Sequence, residues 1–238
     1  MFNNSKYANV LTVILIVAIV AIIGIVAIIG YRIYNAYYID TGATQAATQF
    51  EQAVQQQNNI RSIGNQNVPQ ENTIKEDISS GIDNTTTSVG GNSSGGGNGI
   101  ASKTTYKGYV VVGTIQIPDI KLNYPILEKL STSSLKTSVV FMYTAQGLNN
   151  PGNSVIIGHN YRNGTMFSNV DKLTKGDIIY ITDIYGRKVK YVIYNMYRAP
   201  GTESEYITRN TNGKREISIS TCTDDSKARL VIWAKADV

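Results

Sequence analysis

Glu216-Ile217-Ser218-Ile219-Ser220-Thr221-Cys222-Thr223-Asp224 is the stretch from which the chain is best read. Ile217 and Ile219 fall on one side of a two-residue alternation and Ser218 and Ser220 on the other, the pattern of a half-buried β-strand. That strand runs out on Cys222, the one cysteine among 238 residues, so the thiol stands where a rigid element meets a loop. By base rate a lone cysteine is a small buried hydrophobe. The alternative is a reactive group presented by the strand end, and the rest of the chain bears on the choice.

Working outward, Arg229-Leu-Val-Ile-Trp-Ala234 reads as the closing strand, and a loop over 198–215 leads into the opening stretch. Upstream, β-rich runs occur at Val110–Ile117, Leu122–Leu127, Val139–Tyr143, Ser154–His159, Ile178–Thr182 and Lys188–Met196. They are punctuated by Pro118-Asp119, Asn149-Asn150-Pro151-Gly152, Lys175-Gly176-Asp177 and Tyr185-Gly186. Short helical pieces are expected near Ser133–Lys136 and Met166–Leu173. About eight short strands at close spacing with little helix predict a mainly β domain over 106–238, an antiparallel or mixed barrel or sandwich.

The formal charge of +5 comes from 22 Lys+Arg against 17 Asp+Glu scattered along the chain, without the clustering of a nucleic-acid footprint. One cysteine excludes an intramolecular disulfide. One cysteine with one histidine falls short of a zinc site, so no metal centre is implied. From Val10 to Gly30 the chain is almost purely Val, Ile, Leu and Ala, with no charge between Lys6 and Arg32. About 20 such residues cross a bilayer, and the run is longer than the apolar core of a cleaved leader. Tyr31, Arg32, Tyr34, Tyr37 and Tyr38 then read as interfacial anchors. Residues 1–9 are expected as a cytoplasmic tail, 10–30 as a single membrane anchor, and 31–105 as an extracellular tether.

Within that tether, Ala46, Phe50 and Val54 predict a short helix over 41–57. The Asn, Ser, Thr and Gly of 58–103 predict a flexible linker. Some 45 such residues would have a root-mean-square span of roughly 35–40 Å. In an exported domain a free thiol is unusual, which favours a reactive role for Cys222.

His159, the one histidine, ends its apolar strand much as Cys222 ends its own. A free thiol is only a few per cent ionised at neutral pH, and a neighbouring imidazolium or guanidinium raises that fraction. Arg229 opens the strand after Cys222. If the two strands pair, its guanidinium lies beside the sulfur and offers donors to an oxyanion or a substrate carbonyl. A surface position for Arg229 fits the sequence equally well.

His159 in Ile156-Ile-Gly-His-Asn160, Cys222 in Ile217-Ser-Ile-Ser-Thr-Cys222 and Arg229 at the start of the final strand resemble the histidine, threonine-cysteine and arginine motifs of sortases, cell-wall cysteine transpeptidases of Gram-positive bacteria. The likeness spans about Tyr106–Ala236 and takes in Gly113-Thr-Ile-Gln-Ile-Pro118, Tyr124-Pro-Ile126 and Lys175-Gly-Asp177. It implies an eight-stranded β-barrel with short helices behind one transmembrane helix. It also implies a sorting peptide similar to Leu-Pro-x-Thr-Gly, carried by surface proteins, and an amine acceptor of the cell wall or another protein. Cys222 would form the thioester, His159 would act as general acid and base, and Arg229 would position substrate and stabilise the oxyanion, with Thr221 as an added substrate or oxyanion contact. No cofactor is implied.

Asn160 to Phe167, with Gly164-Thr-Met-Phe167, resembles the class B pattern after its histidine, although the 198–215 loop is short for that class. No Asp-Pro-aromatic lid motif occurs and no second apolar run follows, which disfavours the pilin-polymerising class. Glu203 and Glu205 read as solvated loop charges in preference to calcium ligands. Two other functions fit the residues: a cysteine peptidase with water as acceptor, and a non-catalytic tethered binding module with Cys222 buried.

Overall fold

The computed structural model describes residues 4–64, 104–143, 146–223 and 227–237. Most of the linker expected over 58–103, and the centre of the loop between Cys222 and Arg229, lie outside the described residues.

Helix α1 runs unbroken over Asn4–Gly64. Its portion Asn9–Tyr34 is 26 residues long, with mean hydropathy 3.4 and no burial against the rest of the chain. At 1.5 Å per residue that is about 39 Å of helix, enough to cross the hydrocarbon core with some tilt. This apolar helix is suited to membrane anchoring. Beyond it α1 lies on the barrel. Ala43, Ala47, Phe50 and Val54 recur at helical spacing and are buried. The stripe expected from Ala46, Phe50 and Val54 is thus rotated slightly, since Ala46 is only partly buried. Burying Phe50 and Val54 stabilises the docked helix by roughly 1.5–3 kcal/mol each. At its far end Asn58 Nδ2 donates to Tyr185 O at 3.0 Å. Gly186 there has φ +77°, the left-handed region that favours glycine, and a Cβ would crowd Val54 Cγ1 at 2.9 Å.

The strands are β1 (Thr105–Tyr106), β2 (Tyr109–Ile117), β3 (Leu122–Leu127), β4 (Val139–Tyr143), β5 (Gly152–Ile157), β6 (Ile178–Asp183), β7 (Lys188–Pro200), β8 (Arg215–Cys222) and β9 (Ala228–Ala236). They pair in the order β1-β2-β3-β4-β5-β8-β9-β7-β6, and β2 also pairs with β6. Strands β2 to β9 therefore close an eight-stranded barrel, as expected, with β1 appended at the edge of β2. Closure turns on Gly113, which pairs with both Ile126 and Asp183 beside a register shift. A Cβ there would be 2.5 Å from Thr182 O, so only glycine lets β2 cross β6 at this distance. Two pairings are parallel, β3 with β4 and β5 with β8. Between β3 and β4 sits α2 (Thr132–Thr137), started by a reciprocal box in which Ser134 N–H donates to Ser131 Oγ at 3.0 Å and Ser131 N–H to Ser134 Oγ at 2.8 Å.

Ile115, Ile156, Ile181, Tyr191, Ile217, Ile219 and Ile232 meet in the main core. The expected loop over 198–215 is shorter than the sequence implies, because β7 continues to Pro200 and the helix α3 (Glu205–Thr208) forms one turn around buried Tyr206.

Candidate active site

Strand pairing delivers the site. Strands β5 and β8 run parallel, with Ile157 opposite Ser220, so both chains leave the sheet at the same rim. Two residues further on stand His159 and Cys222. Strand β9 returns antiparallel and sets Arg229 directly across from Cys222, with Ala199 of β7 on its other side.

Alternation then assigns the faces. Ile217 and Ile219 of β8 and Ile232 and Ala234 of β9 point into the main core. Between them, Ser218 Oγ donates to Asn153 Oδ1 at 2.9 Å and Ser220 Oγ to Tyr206 OH at 3.3 Å on the outer face. Val155, Val231, Ala199 and Tyr206, with Ile157 and Trp233, form a second apolar cluster on that face. One further step of each alternation carries His159, Cys222 and Arg229 to the edge of this same face. The chain 201–214 roofs it and is pinned by Asn153 Nδ2, which donates to Tyr206 O at 2.8 Å and Ile207 O at 2.9 Å. Glu203 in the roof accepts from Tyr197 OH at 2.9 Å, while Glu205 is exposed.

Thr221 points inward, 3 % exposed, and its Oγ1 donates to Gly158 O at 2.8 Å. Gly158 N–H donates in turn to Ser220 O at 3.3 Å. These two bonds clamp the histidine strand end to the cysteine strand end. Gly158 itself cannot be larger: a Cβ would lie 2.7 Å from the Phe167 ring and 2.9 Å from Val139 Cγ1.

The Cys222 thiol is free and half-buried, and its carbonyl accepts from Asn160 Nδ2 at 3.3 Å. The His159 ring lies 4.8 Å from that of Tyr161, inclined by 35°. Burial first, and the charge of Lys136 second, hold the imidazole pKa below its ordinary value. Among the described residues, no hydrogen bond or ion pair engages the thiol, the imidazole or the Arg229 guanidinium. A cavity of about 20 Å³ beside the thiol is walled by Phe167, Val170, Arg198, Thr221, Cys222 and Leu230. It has room for water and not for a side chain, and His159 and Arg229 are not on its wall.

The loop from Asn160 to Met166 closes by a bridge between those two residues. It holds Arg162 at φ +56° and Met166 at φ +50°, a left-handed conformation that costs a non-glycine residue about 1–2 kcal/mol. Sequence reasoning singled out His159, Cys222, Arg229 and Thr221, and the strand pairing brings the first three to one rim. It passed over Gly158, Asn160, Tyr161 and Lys136. The first two lie inside the histidine motif, whereas Lys136 reaches the imidazole only through the tertiary fold.

A closed β-barrel with an unpaired thiol, imidazole and guanidinium on one rim defines a cysteine-centred barrel of the sortase type. The sortase domain family matches residues 115–237, just over half of the chain. The chain belongs to the sortase family. It is 29 % identical over 125 residues to sortase A of Bacillus anthracis, an alignment covering 51 % of this chain and 58 % of that protein. The curated relatives are thus spanned over little more than half their length. Among solved structures it resembles a Clostridium perfringens sortase D5 transpeptidase, with TM-score 0.50, 25 % identity, and coverage of 54 % of this chain and 80 % of the other. It resembles sortase C-1 of Actinomyces oris similarly, with TM-score 0.50, 26 % identity and coverage of 54 % and 72 %. Relatives named A, C and D stand at nearly equal identity, so identity singles out none of these classes.

Proposed function

We propose that this protein is a membrane-anchored sortase-type transpeptidase, with the barrel on the outer side of the membrane. The observation that carries the reading is the convergence of Cys222, His159 and Arg229 on one rim, each with its reactive group unengaged. The Cys222 thiolate attacks the carbonyl carbon of a scissile peptide bond in a sorting signal similar to Leu-Pro-x-Thr-Gly. A C–S bond forms, and Arg229 donates to the developing oxyanion. The C–N bond breaks as His159 imidazolium protonates the leaving amine, leaving a thioester and neutral imidazole. An acceptor amine then attacks the thioester, gives its proton to His159, and releases Cys222 with a new amide bond formed.

The thioester retains the reactivity needed for transfer to an amine of the cell wall or of another protein. Thr221, whose hydroxyl proton is committed to Gly158 O, keeps the two strand ends in register and walls the small cavity beside the thiol, where its substrate contact would be made. The test mixes the full chain with a sorting peptide and hydroxylamine. Peptidyl hydroxamate as the main product supports amine transfer; hydrolysis without hydroxamate would make the enzyme a peptidase; no turnover, with an alkylation-resistant Cys222, would leave a binding module.

A further inference from the structure

Six residues beyond Tyr34, where the apolar span ends, Asp40 stands on α1. Its Oδ1 accepts from Tyr124 OH at 2.8 Å. The same hydroxyl oxygen accepts from Met166 N–H at 3.0 Å. Tyr124 and Met166 are 1 % and 2 % exposed, so the phenol and the Met166 N–H are buried, while Asp40 at the head of the chain is half-buried. Burial, reinforced by Asp40, holds the phenol far above its ordinary pKa, so it stays a protonated donor.

Met166 is where the catalytic loop is most constrained. It is an unbranched, buried residue in a left-handed conformation. Its bridge partner Asn160 donates to the Cys222 carbonyl. The next residue, Phe167, donates its N–H to the carbonyl of His159 at 3.1 Å and packs on Gly158. Held to Tyr124 by its backbone N–H, Met166 therefore sits between one segment bearing on the nucleophile and another bearing on the imidazole. Docking of α1 is secured separately by Ala43, Ala47, Phe50 and Val54. The Asp40 carboxylate lies outside that apolar stripe, and its hydrogen bond is to Tyr124, which holds the 160–167 loop at Met166.

We propose that Asp40 and Tyr124 are positioning residues: the juxtamembrane helix, through Asp40, Tyr124 and the Met166 backbone, holds the 160–167 loop in the form that presents His159 to Cys222. The inference rests on the reading of His159 as acid/base and Cys222 as nucleophile. It makes the helix that leaves the membrane a working part of the active site.

The test uses the full chain in detergent micelles and the variants Tyr124→Phe, Asp40→Ala and Asp40→Asn. Three quantities are read: kcat and KM for hydroxylamine transfer, the iodoacetamide alkylation rate of Cys222 from pH 5 to 9, and the folded fraction by circular dichroism at the assay temperature. Displacement of a catalytic group by a fraction of an ångström should lower kcat about 10-fold in Tyr124→Phe and Asp40→Ala with KM nearly unchanged. Both should shift the alkylation profile. Asp40→Asn, which keeps an acceptor oxygen, should recover most of the kcat lost in Asp40→Ala. Unaltered kcat and alkylation profile in Tyr124→Phe and Asp40→Ala would overturn the proposal. So would a loss that merely tracks the folded fraction, with no rescue by Asp40→Asn. If the unaltered chain transfers no peptide, the transfer reading fails, and the alkylation profile alone still decides whether Asp40 and Tyr124 act on the rim.

Discussion

At the end of the barrel away from Cys222, where β6 turns into β7, buried polar groups answer one another. Asp183 accepts from Tyr185 N–H, Arg187 N–H and Arg187 Nε, the last at 2.7 Å. Asn149 donates to Ile181 O and Arg187 O and accepts from Tyr191 OH. At the other end the thiol, imidazole and guanidinium are held by their backbones while their reactive atoms stay unengaged. Beside them a loop keeps two non-glycine residues at positive φ. One end commits its polar groups to one another; among the described residues, the other leaves three uncommitted. Substitutions at the two ends should accordingly separate stability from activity.

The largest effect belongs to Cys222→Ala, which should reduce acyl transfer to background while leaving the melting temperature within about 2 °C, since no native side-chain bond is lost. A fall in melting temperature comparable to a core truncation would place the cysteine with the structural end. His159→Ala and Arg229→Ala should each lower kcat/KM by roughly 10²–10⁴-fold, the range for loss of an acid/base group or an oxyanion donor. Steady-state kinetics would show either to be misassigned if turnover stayed near that of the unaltered chain.

Asn149→Ala should invert the pattern. It leaves Tyr191 OH and two backbone carbonyls short of a partner in the barrel wall, at a cost of about 2–4 kcal/mol in urea unfolding. Its kcat, measured well below the melting temperature, should be unchanged. The smallest effect is electrostatic. Lys136→Gln removes the charge that helps depress the His159 pKa, so that pKa should rise, as an NMR titration would show. More imidazolium would then be present at neutral pH, moving the alkaline limb of kcat upward. The stability sign agrees: the folded chain binds its His159 proton less readily than the unfolded chain, so stability falls as pH drops through the ordinary histidine value, and the variant should lose less.

Much of the Cys222 end was legible because its distinctive residues sit on short alternating strands. Cys222, His159 and Arg229 each close or open an apolar run, and a period of two assigns their face once the pairing is known. Strand limits at Leu122–Leu127 followed from flanking turns, but β7 ran on to Pro200, because a register shift between Ile193 and Asn195 breaks the alternation that would have marked it. In the inner stripe of α1, Phe50 and Val54 are buried as expected, but Ala43 and Ala47 take the place given to Ala46, since small alanines at 43, 46 and 47 offer no size contrast by which to choose a face. The chain Asp40–Tyr124–Met166 was invisible: its members are far apart in sequence and their types are ordinary, so only the tertiary fold joins them.

The central claim is that Cys222 carries the acyl group. The direct measurement is intact-mass analysis of the full chain, acid-quenched shortly after mixing with a sorting peptide, followed by peptide mapping. The expected result is an adduct equal in mass to the amino-terminal acyl fragment, located on Cys222 and discharged by hydroxylamine. Product formation with no adduct, or an adduct on any other residue, would contradict the account.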